Sequence, residues 1–80
     1  MRRNQGYIIT HSFRYNAKME LVLAETETTH GTKYVTWECI DGNNYFWGHY
    51  FTDKRKAMID FAVRLAGEFG TEIEVLDAEL

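Results

Sequence analysis

The chain has 80 residues, of which 45% are apolar and 15% aromatic, and its 12 acids against 9 bases give a formal net charge of −3. That length makes one domain, residues 1–80, which buries only roughly 60% of its unfolded surface; the apolar content excludes disorder, and the acidic balance is the reverse of what a general nucleic-acid binder displays. The single cysteine, Cys39, excludes an intramolecular disulfide and fits a reducing compartment.

The first predicted element is a strand over Tyr7 to Tyr15, with Tyr7, Ile9, His11, Phe13 and Tyr15 on one face. Asn16-Ala17 turns the chain. Met19, Leu21 and Leu23 then alternate with Glu20, Val22 and Ala24 in a second strand, and the polar stretch Glu25 to Thr32 reads as a loop. Tyr34 to Ile40 and Tyr45 to Phe51 flank Asp41-Gly42-Asn43-Asn44, a turn-forming sequence, and predict a hairpin. A tight turn pairs Ile40 with Tyr45, Cys39 with Phe46, Trp37 with Gly48 and Val35 with Tyr50. Trp37 then lies across the bare backbone of Gly48, which accounts for a glycine inside a strand. Thr52 or Asp53 caps a helix running to about Phe69, and Gly70 suits its C-terminal reversal. Met58, Phe61, Ala62, Leu65 and Phe69 form its apolar stripe. Residues 71–80 read as a fifth short strand, from Ile73 and Val75, or as a flexible acidic tail carrying Glu72, Glu74, Asp77 and Glu79.

The expected fold is α+β: an antiparallel sheet of four strands, or five, with one C-terminal helix packed on one face in two layers. The helix stripe is assigned to the face carrying Val35, Trp37, Cys39, Phe46 and Tyr50, joined by Leu21 and Leu23. That leaves Tyr34, Tyr45, Trp47, His49 and Phe51 on the far face. Either the tail covers them or they form an exposed aromatic patch. Such patches mark interaction surfaces, and Tyr and Trp are enriched at binding hot spots; the competing reading is cross-strand packing that stabilises a small sheet. The expected function is a small non-catalytic interaction module whose partner is another protein or a second copy of the chain.

The same aromatics could stack nucleobases, with Arg14, Lys33 and the Lys54-Arg55-Lys56 cluster meeting phosphates. Against this single-stranded nucleic-acid alternative stands Glu38, placed in the middle of the proposed surface. Lys54, Arg55 and Lys56 in the first helical turn oppose the helix dipole and could contact an anion or an acidic partner; an ordinary solvated face, with Asp53 offsetting part of the charge, is the favoured reading. Cys39, His11, His30 and His49 show no paired metal-ligand spacing, so no metal or cofactor is expected. Cys39 and His49 fall on opposite faces, which argues against a nucleophile pair, and Glu38 with His49 makes no pocket; the chain is not expected to be an enzyme. No run approaches the roughly 20 apolar residues of a membrane span. Met1-Arg2-Arg3 resembles the start of a signal peptide, but the polar breaks in Asn4 to Ser12 argue against one. The expected localisation is cytoplasmic.

The run Tyr34-Val35-Thr36-Trp37-Glu38, followed by Tyr45-Phe46-Trp47-Gly48-His49-Tyr50-Phe51, resembles a family of short uncharacterised proteins from mobile elements (plasmids, conjugative elements and phages) of Gram-positive gut bacteria. The likeness covers about Tyr7 to Leu65 and is specific in the hairpin. It implies an accessory protein of a mobile element, of the kind that inhibits or adapts a larger protein. It carries over no activity and no functional residues, and no motif of the small sheet-and-helix anti-CRISPR proteins is present.

Overall fold

Turn chemistry sets the architecture. The computed structural model describes residues 1–70, and these form β1 (Arg3–Asn4), β2 (Tyr7–Arg14), β3 (Met19–Thr28), β4 (Gly31–Ile40), β5 (Asn44–Phe51) and α1 (Lys54–Glu68). The strands make one antiparallel meander in the order β1-β2-β3-β4-β5. Gln5 and Gly6 both take positive φ, 52° and 85°, the conformation of a two-residue hairpin loop whose twist matches its strands. The Asn16 side-chain oxygen accepts from the backbone N–H of Lys18 and of Met19, both at 2.8 Å, and closes the second turn. Asp41 and Gly42, at φ 55° and 77°, turn the last hairpin.

The fold class is the α+β arrangement expected, with five strands. The fifth of these is β1, ahead of the first predicted strand; the expected strand through Ile73 and Val75 lies outside the described residues. The polar stretch Glu25 to Thr32 is not a loop. Thr26 pairs with Lys33, Glu27 with Thr32 and Thr28 with Gly31, so β3 and β4 run on as a solvated ribbon around Thr29-His30. Thr32 donates to both Glu27 carboxylate oxygens at 2.9 Å. A ribbon wetted on both faces has no apolar alternation to betray it.

Two register shifts rearrange the predicted faces. One lies between Ile9 and His11 of β2, and the other on β5 between Phe46 and His49, opposite Trp37. A bulge puts two residues opposite one and turns the chain's side chains over. Tyr7 and Ile9 therefore pack on the Trp37 side, whereas His11 and Phe13 pair with Leu23 and Leu21 on the other. In the last hairpin Ile40 pairs with Asn44, not with Tyr45, because only three residues make the turn. Tyr45 thus faces Cys39, and Phe46 faces Glu38. The bulge then restores the expected pairs, Thr36 with His49, Val35 with Tyr50 and Tyr34 with Phe51.

The helix covers the face opposite to the one assigned from sequence. Asp53 caps it, its carboxylate accepting from the backbone N–H of Arg55 at 2.8 Å and Lys56 at 3.2 Å. Ala57, Asp60, Phe61 and Arg64 turn toward the face of Leu21, Leu23, Thr36 and Glu38. Leu21 and Leu23 belong to this layer, not with Val35 and Trp37. Met58 and Phe69, expected to face the sheet, are 44% and 56% exposed.

The other face buries itself. Val22, Ala24, Val35, Trp37 and Cys39 form its core, with Tyr7, Ile9 and Tyr45 packed against them. Rings of Tyr7, Tyr45 and Tyr50 stand 5.5, 5.5 and 6.3 Å from the Trp37 ring. Tyr7 and Tyr50 themselves meet at 6.4 Å across strands β2 to β5, which in a flat sheet lie about 14 Å apart. Curling of the sheet and the length of the tyrosine arms close that gap, so no second helix is needed above Trp37.

Candidate functional site

The five residues expected to share one exposed aromatic face do not share it. Tyr34, His49 and Phe51 lie on the helix side of the sheet, through the pairs Tyr34–Phe51 and Thr36–His49. Tyr45 lies on the Trp37 side, its hydroxyl accepting from Arg2 Nη2 at 2.9 Å. Trp47 sits in the β5 bulge at φ 53° and is 73% exposed. The physical reason is the bulge itself, since strict alternation through Trp47 would be required to align Tyr45, Trp47, His49 and Phe51.

What the structure gathers is the outer strand. β5 ends the sheet order, so one side of its backbone has no strand neighbour among the described residues. Along it, Trp47 and Tyr50 are exposed large side chains, and His49 is exposed as well. Phe46 braces Trp47 edge-on at 5.1 Å. Gly48 is required here, because a Cβ would stand 2.7 Å from Trp37 Nε1 and 2.8 Å from Tyr50 Cε1. The expected lie of Trp37 across Gly48 is therefore present, although the pairing around it shifts. Tyr50, assigned to the core from sequence, is 58% exposed.

Beneath α1 lies a polar network that sequence reasoning missed. Asp60 accepts from Thr36 Oγ1 at 2.6 Å and contacts His49 Nδ1 at 3.0 Å. Arg64 donates to the Thr36 carbonyl at 3.2 Å and to its hydroxyl at 3.0 Å, and its other nitrogen stands 3.6 Å from Glu38. Tyr15 donates to Glu38 at 2.6 Å. Burial, with Glu38 alongside, pushes the Tyr15 hydroxyl well above its ordinary range. A hydrogen bond to Glu38, then burial, pushes the Glu68 carboxyl upward. Glu38 is buried and paired, so it is not the exposed charge that was set against nucleic-acid binding. The signal available in sequence was the run of Thr36 and Glu38 in a strand facing Asp60 and Arg64, one helical turn apart.

A second ionic cluster closes the Trp37 face. Arg2 donates to the Glu20 carboxylate at 2.9 and 3.3 Å, and Ser12 donates to it at 2.5 Å. Burial alone would raise the Glu20 carboxyl; Arg2 and Ser12 outweigh it and hold that group below its ordinary value. The Arg2 guanidinium is in turn shifted up, mainly by its bond to Glu20. Cys39 is buried beside this pair, and burial followed by the Glu20 charge raises its thiol. A buried thiol held protonated is a poor nucleophile.

Lys54, Arg55 and Lys56 are all exposed in the first turn of α1. Lys54 and Arg55 border an open groove of about 470 Å³ whose floor is Met58, Ile59 and Ala62. No group of three His, Cys, Asp or Glu among the described residues converges as metal ligands. No helix among them is long and apolar enough to cross a membrane. No protein-family profile, curated protein or solved structure matches the chain.

Proposed function

We propose that the protein is a small non-catalytic interaction module that works in the cytoplasm and binds a protein partner along β5. The observation that carries this reading is Trp47, 73% exposed on the outer strand. Tryptophan in water is unfavourable, and an indole set into a partner pocket is a common binding anchor. Tyr50, His49 and the partly buried Phe46 extend the surface. It replaces the Tyr34, Tyr45, Trp47, His49 and Phe51 face drawn from sequence, retaining Trp47 and His49. An inhibitor or adaptor role, which the mobile-element resemblance implies, fits an exposed indole on an outer strand. A single cysteine, free and buried, fits a cytoplasmic setting.

The test uses the difference in fluorescence between wild type and Trp47→Phe, which isolates Trp47 from the buried Trp37. Red-shifted Trp47 emission at low concentration that moves to the blue as the protein is concentrated, with dimer in sedimentation, makes a second copy the partner. Red-shifted emission at all concentrations leaves the strand free for another protein. Blue-shifted emission in the monomer overturns the reading. Quenching by single-stranded oligonucleotides that weakens steeply with salt would establish base stacking and displace the protein-partner reading.

A further inference from the structure

The outer side of α1 is charged against the dipole of its own helix. The first turn holds Lys54, Arg55 and Lys56 and no acid, the last turn holds no base, and no salt bridge among the described residues engages the three cations. Cations at the positive end of a helix dipole are unfavourable, and Asp53 at the cap offsets only part of this. Along the same side runs a stripe. Arg55, Met58, Ala62, Ala66 and Phe69 follow one another at steps of three, four, four and three residues, on the side of α1 turned away from Asp60 and Arg64. Met58 and Phe69 are 44% and 56% exposed, and Ala62 is exposed between them.

We propose that this side of α1 pairs with the same side of a second copy of the chain, the two helices antiparallel about a two-fold axis at Ala62. A two-fold contact must be self-complementary, and the stripe is so in chemistry as well as in spacing. With Ala62 facing its own copy, Arg55 falls opposite Phe69 and Met58 opposite Ala66, each pair occurring twice. A guanidinium is attracted to the face of an aromatic ring. The long, adaptable Met58 side chain fills the space that Ala66 leaves. A small residue at the crossing point lets the helix axes approach closely. The charges agree with the packing. Antiparallel pairing brings Lys54 and Arg55 of each copy to the C-terminal carbonyls of the other helix, the negative end of its dipole, where cations are favourable. A parallel pair would instead set two basic turns side by side. One pair of helices, each of about four turns, makes a small interface, so the dimer belongs to the transient class and assembles at high protein concentration.

Sedimentation of the full-length protein from micromolar to millimolar concentration should show a reversible monomer–dimer equilibrium. In a mixture of differently labelled molecules, the Met58 ε-methyl of one should give nuclear Overhauser contacts to the Ala66 β-methyl of the other. The two residues lie about 12 Å apart along one helix, too far for such a contact within a chain. Ala62→Arg should abolish both the dimer and the contact with the circular dichroism spectrum unchanged, because Ala62 is exposed and arginine is a good helix former. Arg55→Ala should weaken the dimer severalfold. Trp47→Phe should leave it as in wild type, and Trp47 emission should not move as it forms. A monomer at every concentration overturns the proposal. So does a dimer that survives Ala62→Arg, is indifferent to Arg55→Ala, or lacks the contact between Met58 and Ala66. A dimer that survives Ala62→Arg but is lost in Trp47→Phe would put the second copy on β5 instead, so the two surfaces fail separately.

Discussion

Arg2→Ala is the perturbation whose effect follows most directly from the geometry. It removes both N–H donors from Glu20, a carboxylate 4% exposed, and leaves it with Ser12. It also strips the cap from Tyr45 and the Gly42 carbonyl. A hydrogen bond to a charged group contributes about 1.5–3 kcal/mol, and Arg2 is 40% exposed, so solvent screening places the loss near the lower end, about 1.5–2 kcal/mol. A domain of this size holds about 4–12 kcal/mol in all. The melting temperature should fall by roughly 6–16 °C. Urea titrations at pH 7 measure the loss, and Glu20→Gln in the Arg2→Ala background should recover much of it by removing the stranded charge. The pH dependence supplies a second check. Glu20 is depressed in the folded state, so its contribution is present above the unfolded carboxyl value of about 4.5 and is lost as pH falls through the folded value. Wild type should therefore lose its advantage over Arg2→Ala in acid. An Arg2→Ala protein as stable as wild type at pH 7, or one that Glu20→Gln does not rescue, refutes this account of the pair.

The two tryptophans should behave oppositely. Trp37→Ala, at a fully packed site, should cost about 3–5 kcal/mol and lose the folded circular dichroism spectrum. Trp47→Ala should cost no more than about 1.5 kcal/mol, the worth of its contact with Phe46, and Trp47→Gly should be about 1 kcal/mol more stable than Trp47→Ala because φ 53° suits glycine. Gly48→Ala should cost about 1–3 kcal/mol in urea unfolding by forcing Trp37 and Tyr50 apart. Glu68 is raised in the folded state, so its favourable contribution is present below about pH 4.5 and is lost as pH rises through the folded value. Glu68→Gln should accordingly raise the melting temperature at pH 7 and change it little at pH 4.

Much of the local structure was legible because single residues fix it. Asp53 marks the helix start, Gly70 its end, and Asp41-Gly42 the last turn. The bulge in β2 was not legible, because Thr10 looks like any other strand residue. Gly48 did mark the one in β5, since a glycine inside a strand often sits at a bulge, but it also makes room for Trp37, a role that accounts for it by itself. Each bulge turns over everything on one side of it, and so Tyr45 and Phe46 exchanged faces. The helix stripe misled for a different reason. Asp60 and Arg64 count as polar on any scale, but Thr36 and Glu38 give them partners, so the sheet takes the charged side of α1 and leaves Met58 outside.

That rotation bears on how a site is inferred from a face left uncovered. The aromatic patch drawn from sequence rested on one premise, that a single helix cannot shelter both sides of a sheet. The premise fails here because the sheet shelters one side itself: Tyr7, Tyr45 and Tyr50 close over Trp37, and Arg2 with Glu20 seals the edge beside Cys39. The exposure of Trp47 therefore has a separate cause. It comes from a left-handed backbone position on an outer strand, a conformation that costs a bulky residue about 1–2 kcal/mol relative to glycine. A bulge also turns a strand edge away from casual pairing with other edges. An indole set in such a bulge presents a side chain, rather than a row of backbone groups, to whatever approaches. Recognition along β5 should then depend on the shape of the pocket that receives Trp47, and little on strand addition, so a partner that binds as an added strand should be indifferent to Trp47→Ala, whereas the partner proposed here should lose its hold.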